Sequence, residues 1–242
     1  MTEIVTPPPP PPPPPPSPSD AKASFDFVKP FAFVFEDARW LNKVLIGGLF
    51  QLLAMMLIGI PFLLGYLAKM IRNVIAGDPL PLPEWDDLGE KFTEGLRLVG
   101  VGFVYILPLF VLIGIFVIPA AILGTISQHT NSDFDPAGCV VAGMWCLIFP
   151  ISLAYMFWMP AAMLHAVVEQ RFGAAFEFGR IKNFIVDNIG NYLLSIVILF
   201  VARVAASLGL ILFCIGIVFT AFWGMLVTFY AFAQTWRLAQ QK

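Results

Sequence analysis

The chain has 242 residues, of which 59% are hydrophobic and only 12% charged, against about 25% charge in a soluble domain. A mean hydropathy of +0.83, with uncharged runs long enough to cross a bilayer, excludes an ordinary soluble fold. The net charge of −2 leaves no basic footprint for nucleic acid.

Residues 1–24 form a tail of their own. Pro7 to Pro16 is an unbroken proline run. Proline fixes φ and has no N–H, so the run is expected to be an extended polyproline II rod that cannot join a packed core. Such a rod is either a solvated spacer or a ligand for the aromatic-lined groove of a protein partner. The tail has neither the basic start nor the apolar stretch of a cleaved leader, so the first membrane segment is expected to act as its own signal.

Residues 25–242 read as one membrane domain. Phe25, Phe27, Phe31, Phe33, Phe35 and Trp40 are interleaved with Asp26, Lys29, Glu36, Asp37, Arg39 and Lys43. Aromatic and charged side chains mixed in this way suit the headgroup region, and an interfacial amphipathic helix is predicted over 26–40. The first hydrophobic segment, 44–68, is expected to break at Gly59-Ile60-Pro61. Lys22, Lys29, Arg39 and Lys43 precede it, and Lys69, Arg72, Lys91 and Arg97 follow it. Because basic residues favour the cytoplasmic side, a re-entrant pair of half-helices satisfies both flanks. A single span is the alternative.

Gly77-Asp78-Pro79, Pro81 and Pro83 then force an extended turn. It carries Glu84, Trp85, Asp86 and Asp87, with Glu90 and Glu94 beyond. These acids could hold a cation or a protein partner. Equally, they could complement the dipole at the start of a helix, with Trp85 anchored at the membrane interface. The spacing lacks the alternation of a calcium loop.

Segments 98–124 and 137–165 form a second hairpin, with Pro108, Pro119, Pro150 and Pro160 as expected kinks. Between them, residues 127–133 contain no Lys or Arg, which marks an external loop. Cys139, Cys146 and Cys214 lack metal-ligand spacing and read as small core residues. His165, alone in its segment, reads as a core or interface histidine. Arg171, Arg180 and Lys182 return the chain to the cytoplasmic side, with a second interfacial helix predicted over 172–184. Segments 189–208 and 210–236 complete a third hairpin, whose turn falls within 207–216.

Arg203 is the one charge between Asp187 and Arg237. At about 1.5 Å per residue it lies roughly 21 Å along its helix, past the middle of a hydrocarbon core of about 30 Å. Asn188, Asn191, Ser195, Arg203 and Ser207 form a candidate intramembrane polar face. Arg203 could snorkel to outer phosphates, pair with Asp133 or Asp135 on the external loop, or serve a solute site.

The strings FVFEDARWLNKVLIGGL, GIPFLLGY and LPEWDDLGEKFTEGL, with IGIVFTAFWGMLVTFYAFAQTWR near the C-terminus, resemble a prokaryotic membrane family, the domain-of-unknown-function family 4013. The similarity spans residues 25–240. Ala38 stands where that pattern has proline, and Leu88 where it has tryptophan. The resemblance implies a multi-pass protein of a bacterial or archaeal membrane and supplies no activity.

The expected architecture is all-α: a polytopic integral membrane protein of three helical hairpins with interfacial amphipathic helices. The cytoplasmic membrane, with both termini on the cytoplasmic side, is the expected location. No phosphate loop, metal cluster or nucleophile–base pair points to a catalytic, cofactor or metal site. Two functions fit: a structural or accessory membrane component binding lipid or protein partners, through the Pro7–Pro16 tail or the acidic turn among other surfaces, or a carrier or channel for a small or lipid-like solute.

Overall fold

The computed structural model describes residues 24–130, 135–211 and 216–241. The proline tail, Asp133 and Cys214 lie outside them. Eight α-helices are described: α1 (Lys29–Glu36), α2 (Trp40–Ala54), α3 (Gly59–Ala76), α4 (Leu88–Thr130), α5 (Pro136–Val168), α6 (Phe178–Asp187), α7 (Ile189–Ser207) and α8 (Gly216–Ala239). Short 3-10 turns cover Phe172–Phe176 and Leu208–Ile211. The described fold is all-α, and α2–α3, α4–α5 and α7–α8 are its three hairpins. Five helices, α3, α4, α5, α7 and α8, are long and apolar enough to cross a membrane.

The first hairpin is short. α2 has 15 residues and α3 has 18, or about 22 and 27 Å of helix. The break falls at Met55–Ile58, just before the Gly-Ile-Pro string expected to cause it. Leu57 carries the turn at φ 66, and its amide donates to Ala54 O. Pro61 lies in the first turn of α3, where a missing N–H breaks no helical bond. Gly59 serves close approach instead: a Cβ there would overlap the backbone of Phe50 and Ala54. The tip is apolar and open, with Met55 80%, Met56 74%, Leu57 73% and Ile58 60% exposed.

α3 and α4 cross backbone to backbone. A Cβ on Gly65 would overlap Lys91 O, and one on Gly95 would overlap Pro61 O. α2 lies on α8 by a similar device, with the rings of Phe222 and Phe219 filling the space a Cβ would take at Gly47 and Gly48. The core between these helices is built from Phe33, Tyr66, Leu67, Met70, Ile71, Leu98, Leu164, Tyr192, Phe222 and Phe232.

The second hairpin extends well beyond that core. α4 runs for 43 residues and α5 for 33, continuing through Pro108, Pro119, Pro150 and Pro160. Almost none of their most apolar stretches is buried within the described chain; the residues there are half-buried or exposed. Cys139 and Cys146 are exposed on α5, which corrects the reading of them as core residues. In a helix surrounded by lipid, hydropathy does not separate the lipid-facing side from the packed side.

The two amphipathic segments are shorter than expected. α1 ends at Asp37, where the backbone turns extended; its Phe33 packs on Tyr230 of α8, ring centroids 4.3 Å apart. The second divides into the Phe172–Phe176 turn and α6, with Ala174, Ala175 and Ile181 buried. His165 is buried between Trp236 and Phe184, with Nδ1 2.8 Å from Ala161 O.

Candidate functional site

Apart from Asp135 and Arg203, the charged side chains of the described residues collect at one end of the bundle, where α2, α4 and α7 begin and α3, α5 and α8 end. Gly77 ends α3 in the left-handed region (φ 83), and the amides of Gly77 and Asp78 bond back to Val74 O and Asn73 O. This Schellman closure turns the chain back along α3. Asn73 Nδ2 donates to Pro81 O at 3.0 Å, and Tyr66 OH to Pro83 O at 2.9 Å. The proline turn is thus held by side chains bonding its carbonyls, as a segment poor in N–H groups requires.

The acidic turn that follows is a latch. Glu84 pairs with Arg39 at 2.8 Å and with Lys43 at 2.7 Å. Lys43 is buried and also reaches Asp37 at 2.6 Å and Leu82 O at 2.8 Å. Trp85 stacks on Tyr66 and Phe50, ring centroids 4.2 and 4.8 Å away, and its indole N–H donates to Lys43 O at 2.9 Å. Trp85 therefore packs inward on protein, where the sequence suggested a lipid-interface anchor. Asp86 takes the ammonium of Lys91, a side chain only 1% exposed. Asp87 has φ 48, and its carbonyl accepts the Lys91 amide at the start of α4. The latch joins the start of α2 to the chain leaving α3, so both ends of the first hairpin are fastened together.

Electrostatics follow from this packing. Burial alone would push the Asp37 carboxyl up, but bonds from Lys43 and the Arg39 amide more than offset it and hold the group below the ordinary carboxylate value. The hydrogen bond and charge of Lys91 lower Asp86. Among the described residues, no group of three or more His, Cys, Asp or Glu side chains is placed to share a metal ion.

Beside the latch lies a cleft of about 520 Å³ between α3, α4 and the turn after α5. Arg72 grips Glu94 with both terminal nitrogens. Arg97 donates to the same carboxylate at 3.2 Å and to Gln170 O at 2.6 Å. Gln170 has φ 51, which turns its carbonyl out of the helix just ended. Nothing local in the sequence signals this cleft, because its residues come from three separated stretches. A neighbouring ion-pair group joins Glu169, Arg171, Glu177 and Arg180.

The candidate polar face on α7 divides. Ser195 is buried against α8, with Oγ 3.0 Å from Ala231 O and 2.9 Å from Thr235 Oγ1, while Thr235 donates to Asn191 O. Asn188 donates to Phe184 O. These groups join helices at the charged end. Arg203 and Ser207 are exposed farther along, on a groove of about 260 Å³ whose other walls include Ile217, Met225 and Phe229. Ser207 bonds within its own helix to Val204 O. Asp135 caps α5 by accepting from Gly138 N at 2.9 Å, and the described residues show no ion pair between it and Arg203. Asp133, the other proposed partner, lies outside the described residues.

No curated protein and no solved structure matches the chain. A family model described as Protein of unknown function (DUF4013) matches residues 48–215. The match takes in the α2–α3 turn, the acidic turn and the cleft residues of α3, α4 and Gln170, and it stops before α8. Since it covers more than half of the chain, the protein belongs to the DUF4013 family.

Proposed function

We propose that this protein is a non-catalytic structural or accessory component of a prokaryotic cytoplasmic membrane, with both termini on the cytoplasmic side, binding lipid or protein partners through its helix surfaces. The observation that supports it best is the α4–α5 hairpin. Its outer part presents Phe103, Phe110, Ile118, Trp145 and Phe149 exposed, with no described helix packed over them, a surface that lipid or a partner helix would cover. The positive-inside pattern supports the orientation, because the basic residues flanking the hairpins fall at the end where the termini of all three meet. The latch supports a structural use of the acidic turn: Glu84 and Asp86 are engaged by the protein's own cations.

A carrier or channel for a small or lipid-like solute is the second reading, favoured by Arg203 on its groove. Complementation of a deletion strain separates the two. The accessory reading expects Arg203→Leu to complement and the Trp145→Ala/Phe149→Ala double variant to fail while still inserting. An Arg203→Leu protein that folds but does not complement would favour the carrier.

A further inference from the structure

We propose that the cleft formed by Arg72, Glu94, Arg97 and Gln170 is a binding site for the phosphate headgroup of an anionic phospholipid. The proposal rests on the accessory reading only in placing the charged end at the membrane surface.

The charge balance favours an anion. Arg72, Arg97, Glu90 and Glu94 line the cleft, and Lys69, outside its lining, pairs with Glu90. Lys69 and Glu90 stand 4.0 Å apart, so the inner group is two guanidiniums sharing Glu94. That leaves one positive charge for a ligand to neutralise. A single oxyanion matches it, and guanidinium forks suit phosphate oxygens.

One donor beside the cleft is unmet. Arg97 Nε is shielded from solvent and has no acceptor, although Nη1 and Nη2 of the same group are bonded. A buried donor without a partner is costly and rare. An oxyanion in the cleft reaches Nε only if the guanidinium turns from Gln170 O or Glu94, exchanging one of those bonds for the charged acceptor. Thr93, on the same wall, is exposed, and its hydroxyl bonds only to Gly89 O.

The surrounding surface favours a lipid over a soluble ion. Along α4 from Arg97, Gly100 is covered by the exposed ring of Phe172, 3.2 Å from where a Cβ would stand. Beyond lie exposed Phe103 and Val104. A polar cleft with exposed apolar side chains farther along the same helix fits a molecule with a phosphate head and hydrocarbon tails. Soluble phosphate would share the head chemistry and leave the apolar surface unused.

The test uses the full-length protein in detergent, titrated separately with phosphatidylglycerol, phosphatidylcholine and inorganic phosphate. Thermal unfolding and lipid retention by native mass spectrometry are the readouts. The expected result is a saturable rise in Tm and retention with phosphatidylglycerol, little with phosphatidylcholine, and none with inorganic phosphate. Thr93→Asp adds a carboxylate on the exposed wall without touching the arginines, and it should weaken phosphatidylglycerol binding by about tenfold or more. Arg97→Gln, if it folds, should do the same. Equal stabilisation of wild type and Thr93→Asp, or no stabilisation by any ligand, overturns the site. A rise with inorganic phosphate alone overturns the lipid assignment in favour of a soluble phosphoryl ligand. None of these results depends on the complementation assay, so the two proposals can fail separately.

Discussion

The indole of Trp85 donates a 2.9 Å hydrogen bond to the carbonyl of Lys43, 42 residues earlier in the chain. That bond, with the ring stacked on Tyr66 and Phe50, returns the chain after α3 to the point where α2 began. Trp85→Ala is therefore expected to destabilise the protein by about 3–5 kcal/mol. Trp85→Phe keeps a stacking ring and loses the bond, for about 0.5–1.5 kcal/mol. Chemical unfolding in one detergent, monitored by fluorescence of the remaining tryptophans, measures both.

Lys43 and Asp37 form a buried pair. Lys43→Met leaves the Asp37 carboxylate with only the Arg39 amide and should cost about 3–5 kcal/mol, whereas Asp37→Asn leaves Lys43 paired with Glu84 and should cost about 1–3 kcal/mol. The double variant should recover part of that loss. A double variant no better than the sum of the singles would mean that the two side chains do not act together.

The same pair sets a pH dependence. The Asp37 carboxyl is depressed in the folded protein, relative to about 3.9 when unfolded. A group of this sign contributes stability that is fully present above the unfolded value and lost as pH falls through the folded one. Its contribution should be constant from neutral pH to about 5, decline progressively below about 4, and be gone only once the pH is under the lowered folded value. Asp37→Asn should flatten that part of the Tm profile.

The α3–α4 crossing needs glycine at both positions. Gly95→Ala would place a methyl group inside Pro61 O, and the helices must separate, for about 1–3 kcal/mol or more. Gly114 is the control: nothing lies within 4 Å of its Cβ position. Gly114→Ala should be neutral, or stabilising by up to about 1 kcal/mol. Thermal unfolding of the two variants side by side reads the contrast.

Much of this fold was legible in the sequence because hydropathy and charge are local signals. Uncharged runs gave the three hairpins, and the positions of Lys and Arg gave the shared end of their termini. The tip of the first hairpin was misread by a few residues because Gly59 and Pro61 look like breakers. In the fold, Gly59 provides close approach and Pro61 starts a helix, while Leu57 carries the turn with no marker in its identity. The acidic turn was visible as charge, but its partners were not. Lys43 and Arg39 lie some forty residues away, and no periodicity joins them to Glu84. A helical wheel put Ser195 and Arg203 on one broad face. Packing of α8 against Ser195 separates them, which depends on a neighbour that the wheel does not contain. Gln170 had no signal either: its role is a carbonyl freed by a left-handed backbone.

We propose that all three hairpins stand on one cytoplasmic charged end and that the first re-enters the membrane, because α2, with 15 residues, is shorter than a span although α3 alone is long enough for one. Three single-cysteine variants test it, in a background where Cys139, Cys146 and Cys214 are replaced by serine: Asp87→Cys at the charged end, Met56→Cys at the tip of the first hairpin, and Ala137→Cys at the start of α5. Intact cells are treated with a membrane-impermeant maleimide. Labelling at position 137 only, with position 87 labelled after permeabilisation and position 56 protected throughout, is the predicted result. Labelling of position 56 from outside as fast as position 137 would show that the first hairpin crosses the membrane and would contradict the account.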